Sequence, residues 1–134
     1  MALPNGAGGY QVGDGNLNQA VLGVQVIPTA YTGAVTLTAL DLEQGLIVFT
    51  SGSGANLALP AVTGATGVEA RVSSAKVNSS FDFALLSTGA GAGTLTAGTG
   101  WTLVGSGAGE AGKAVGFRAV KTSDTTYTLY RIAN

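Results

Sequence analysis

Residues 35–60, VTLTALDLEQGLIVFTSGSGANLALP, decide the fold class. Val35-Thr36-Leu37-Thr38 and Leu46-Ile47-Val48-Phe49 are apolar, β-branched runs of strand length, and Leu57-Ala58-Leu59-Pro60 closes a third. Asp41 and Glu43 mark an acidic turn between the first two runs. In a strand these carboxylates share a face; in a turn they keep it wet. Ser51-Gly52-Ser53-Gly54 supplies the next turn.

The same grammar extends both ways. Upstream, Val21-Leu22-Gly23-Val24-Gln25-Val26-Ile27 reads as a first strand, and Gly23 and Pro28 give it an edge or bulge character. Downstream, Val68–Val72 makes one helical turn or two, since Gly64, Gly67 and nearby serines stop a longer helix. Clear alternation returns at 80–86, where Phe81, Phe83 and Leu85 share one face. Short strands follow near 93–97 and 101–104, then a final pair at 114–121 and 126–132. The expected fold is all-β: a compact sandwich or barrel of short strands with Gly-rich turns and little helix. Residues 1–20, glycine-rich with Asn5-Gly6 and Asp14-Gly15 turn steps, form an extended N-terminal arm; residues 21–134 form one domain. The arm's spaced anchors are Leu3, Pro4, Tyr10, Val12 and Leu17.

The chain has 134 residues, enough to bury a core without staples. Only 10% of residues are charged, well below the ~25% of ordinary domains. A surface made of Thr, Ser, Gly and Ala suits a chain packed against others. Net charge is −1, which gives no bulk attraction to nucleic acid or anionic membrane. Residues 1–70 carry acids and no base, whereas all six bases lie in 71–134. The two halves can attract within one subunit or between neighbours. Cysteine and histidine are both absent, which removes disulfides, thiolate metal sites and the commonest general base. No leader-like segment follows Met1, so synthesis in the cytoplasm without a cleavable signal is expected.

Motifs that tempt do not hold together. Gly107-Ala108-Gly109-Glu110-Ala111-Gly112-Lys113 fits part of a phosphate-binding loop. Ala114 stands where a metal-holding hydroxyl belongs, and a strand pattern follows where a helix is needed. Asp14–Asn18 opens like a calcium loop but lacks its glycine and its closing glutamate. Arg118, Tyr127, Tyr130 and Arg131 pair bases with aromatics, yet alternation sets Tyr130 on the face opposite Tyr127 and Arg131. No catalytic, cofactor or metal site is expected.

The runs LTALDLEQGLIVFT (37–50) and LALP (57–60) resemble a segment of the decoration (cement) proteins and related small structural proteins of tailed bacteriophages. SFDFALLSTGAGAGTLTAGTGWTLVGSG (80–107) and FRAVKTSDTTYTLYRI (117–132) continue the likeness, which covers residues 35–134. The family's Ala-rich helical stretch after Leu-Pro is shorter here and broken by glycine. The resemblance implies a non-enzymatic β module, often a homotrimer, with a dimer as the other form. It implies binding to the major capsid protein on the outer surface of the virion, across subunit joints, against the pressure of packed DNA. Neither nucleic acid nor membrane is an expected partner. The alternative is a tail or fibre module binding surface glycans, with Trp101 or the tyrosines exposed; a Trp101 plugging the core argues against it.

Overall fold

The computed structural model describes residues 23–134. The fold is predominantly β, in two open sheets that share one core. In chain order the elements are β1 (Ala30–Tyr31), β2 (Val35–Thr36), α1 (Ala39–Glu43), β3 (Leu46–Phe49) and β4 (Ala55–Ala58). They continue as α2 (Val68–Arg71), β5 (Ser80–Ser87), β6 (Gly93–Thr96), β7 (Trp101–Val104), β8 (Ala114–Ser123) and β9 (Thr126–Ala133).

The chain winds rather than meanders. The larger sheet has the order β1-β3-β5-β8-β9-β7 and the smaller one β2-β4-β6. Up to β6, each strand in the larger sheet is followed by one in the smaller sheet. The pairs β1/β3, β3/β5, β2/β4 and β4/β6 are all parallel. Three coils therefore stack as in a short β-solenoid. Each β3 residue faces the residue 38 positions later, as Leu46 faces Ala84, and the same step takes Ala55 in β4 to Gly93 in β6. Thr50 and Thr88, also one step apart, join hydroxyls at 2.5 Å.

The last coil is covered on both sheets. β8 pairs antiparallel with β5 and then with β9, and β7 joins the far edge parallel to β9. On the smaller sheet, Leu95 N donates to Gly107 O and Gly109 N to Gly93 O, each at 2.8 Å. A Cβ on Gly107 would collide with the Leu95 carbonyl, so this glycine stretch exists to lie against β6. It leads into β8, a strand, as the sequence predicted.

Alternation builds the core. Ile47, Phe49, Phe83, Leu85, Phe117 and Leu129 point inward from the larger sheet and meet Leu57 and Leu95 of the smaller one. Trp101 is buried beside Tyr127, their ring centroids 5.4 Å apart, and its indole N–H donates to Pro60 O at 2.7 Å. The indole thus plugs the core.

Three expectations are corrected. The strand expected over 21–27 is not formed in its described part: residues 23–29 make no ladder, and β1 begins only at Ala30. Pro28 lacks the N–H a ladder needs. The strand expected to start the fold-deciding stretch shrinks to Val35–Thr36. The acidic turn after it is helix α1, opened by a capping box in which Thr38 and Asp41 each bond the other's backbone N–H. The helical turn over 68–72 forms as α2. The arm expected over 1–20, with Leu3, Pro4, Tyr10, Val12 and Leu17, lies outside the described residues.

Candidate interaction surface

Each strand of the larger sheet that buries one face must present the other. Besides Asp82 and Arg118, its outward residues are Leu46 and Val48 on β3, Ser80, Ala84 and Leu86 on β5, Ala114, Gly116, Val120 and Thr122 on β8, Thr126, Thr128, Tyr130 and Ile132 on β9, and Thr102 and Val104 on β7. None is buried, and Val104, Tyr130 and Ile132 are exposed large hydrophobics. Among the described residues, no helix or strand covers this face. Tyr130 stands on the face opposite Tyr127 and Arg131, as alternation predicts, and the outer face mixes these large apolar side chains with serine and threonine.

Only two charged residues stand on it. Arg118 donates to both Asp82 oxygens, at 2.7 and 2.9 Å, across β5 and β8, the two central strands. The hydrogen bond from Arg118 holds the Asp82 carboxyl below the ordinary aspartate value; Asp82 in turn lifts the guanidinium above its own. Both side chains are half-exposed, so the pair adds little stability and mainly fixes two opposite charges side by side.

A second exposed region precedes β1. Val24, Val26 and Ile27 are exposed on the segment entering this edge strand. β1 and β2 are two-residue outer strands of the first coil, each paired on one side only among the described residues. Free edges of this kind accept further strands.

The acid and base halves of the sequence do attract within the subunit. Arg71 donates to both oxygens of Glu43, joining α2 to α1. Lys121 points inward from β8, 1% exposed, and its ammonium donates to Glu69 of α2 and to Ala75 O. The Glu69 bond raises the Lys121 pKa against the opposing pull of burial. Asp41, expected merely to keep a turn wet, also accepts the Tyr31 hydroxyl at 2.7 Å. Burial first, then that bond, pushes the Tyr31 hydroxyl up to about 12. These groups tie the helices to each other and to the larger sheet.

An apolar hollow of about 120 Å³ lies among Ala39, Glu43, Val68, Val72 and Phe81, a space of side-chain size. Among the described residues no cluster of three or more acidic side chains gathers as a metal site would require. No helix there is long and apolar enough to cross a membrane. Scans against protein families, curated proteins and solved structures return no match.

Proposed function

We propose that this chain is a non-catalytic decoration protein of a tailed-phage head, acting by surface contact with the assembled major-capsid lattice. The observation that carries the reading is the exposed apolar segment before β1. Val24 is 97% and Ile27 90% exposed, on the segment that follows the sequence anchors Leu3, Pro4, Tyr10, Val12 and Leu17 and enters a sheet edge unpaired among the described residues. Exposed apolar side chains next to a strand edge gain free energy when another surface covers them. The two open sheets, read as an incomplete sandwich closed over one core, make a stiff body behind that attachment segment.

The mechanism is mass action. A protein that binds only the expanded lattice stabilises that state over the unexpanded or dissociated one. Many copies on one head add their weak contacts through multivalency. The glycan-binding alternative loses its main candidate, since the indole of Trp101 is buried against Tyr127.

The test compares heat-induced DNA release from heads carrying the full chain, the chain with Val24→Asp and Ile27→Asp, or none. The full chain should raise the release temperature. The substituted chain should keep its own unfolding midpoint and lose the protection. Equal release temperatures in all three samples would rule the reading out.

A further inference from the structure

The outer face of the larger sheet has the pattern of a surface made to meet itself. Its two charges, Asp82 and Arg118, sit on the central strands β5 and β8. Leu46 and Val48 on β3 lie to one side of them, Val104, Tyr130 and Ile132 with Thr102, Thr126 and Thr128 on β7 and β9 lie to the other, and Ala84, Leu86 and Val120 continue along the charged strands. We propose that this face is a two-fold self-association surface, on which a second copy of the chain packs sheet against sheet.

Three observations favour a second copy over another occupant. The first is charge. A patch with one adjacent positive and negative group is self-complementary under a two-fold axis, because each Arg118 then meets the Asp82 of the other copy. An acidic or basic partner would leave one of the two charges opposed by its own sign. The second is shape. A two-fold axis running along the strands between Asp82 and Arg118 lays the apolar β3 flank of one copy over the β9–β7 flank of the other, where Val104, Tyr130 and Ile132 stand among threonines. Stacked sheets accept this at about 10 Å separation. The third is size. Five or six strands about 4.8 Å apart, of which three run about 26 Å or more, cover roughly 500–600 Å². Two such footprints total about 1,000–1,200 Å², above most crystal contacts and at the lower end of specific interfaces.

The result is a weak dimer, the lesser of the two forms expected from the phage resemblance, in place of the homotrimer. It does not depend on the decoration reading: the face exists whatever the segment before β1 binds.

Sedimentation equilibrium of the full chain from low to high micromolar concentration tests this. A reversible monomer–dimer equilibrium is expected. Ile132→Lys and Val104→Lys, both exposed, should each weaken dimerisation about tenfold or more by placing a charge in the apolar contact, with circular dichroism and unfolding midpoint unchanged. Arg118→Glu should do the same by opposing like charges, and the swap Asp82→Arg with Arg118→Asp should restore the dimer. A chain that stays monomeric throughout, forms a trimer, or associates regardless of these substitutions overturns the proposal. So does a chain that associates through this face only after residues 1–20 are removed, since the arm would then be its occupant.

Discussion

Lys121 is the most constrained charged residue of the described chain. Its ammonium is enclosed with Glu69, while the second Glu69 oxygen is buried and has no hydrogen-bond partner. Lys121→Met should therefore lower the melting temperature clearly, because it strands a carboxylate among apolar neighbours. Adding Glu69→Leu should recover most of the loss, since removing both partners avoids the stranded charge. Scanning calorimetry of the single and double variants decides between this and a simple packing role. The same chemistry sets an alkaline limit. The folded pKa values of Lys121 and Tyr31 both lie above their unfolded ones. Their stabilisation is complete below about pH 10 and is lost as pH rises through the folded values, near 12 for Tyr31. Urea midpoints should fall between about pH 10 and 12, and less steeply for Tyr31→Phe. Much of this scale was readable in the sequence. The opposed halves of acid and base announced Arg71–Glu43 and Lys121–Glu69 as a class. Which acid met which base depended on α2 folding back over β8, a long-range event that no local pattern encodes.

At the scale of elements, α1 is the instructive miss. Thr38-Ala39-Leu40-Asp41 carries a capping-box signal, and Ala39 and Leu42 fall on one helical face. The neighbouring β-type runs masked a helix of five residues. Thr38→Ala should cost about 1 kcal/mol by removing the cap, read from urea unfolding. Gly45, at φ +84°, turns the chain from α1 into β3, so Gly45→Ala should cost about 1–2 kcal/mol. The long strands β5, β8 and β9 were the easiest to read, since eight to ten residues of alternation leave little choice of face. The segment before β1 was misread because Val24, Val26 and Ile27 carry strand propensity without a strand partner in the described chain.

At the scale of the molecule, the winding was present but hidden. LIVFTSGSGANLA (46–58) and ALLSTGAGAGTLT (84–96) are one motif repeated 38 residues apart, and the structure stacks them in register. Glycine, alanine and threonine recur so often elsewhere that the repeat does not stand out, and the first coil departs from it: Ala30 faces Val48 only 18 residues on. An antiparallel sandwich and a wound pair of sheets bury the same alternating residues, so composition and periodicity fix the β class without fixing the direction of pairing. Among the described residues the winding leaves the first coil's outer edges unpaired beside an exposed apolar segment, the feature that supports the proposed lattice binding. Co-sedimentation of the full chain with expanded and unexpanded heads of its own phage tests that account most directly. Saturable binding to expanded heads alone, at a fixed ratio to capsid subunits, is the predicted result; binding to neither, or equally to both, would contradict it.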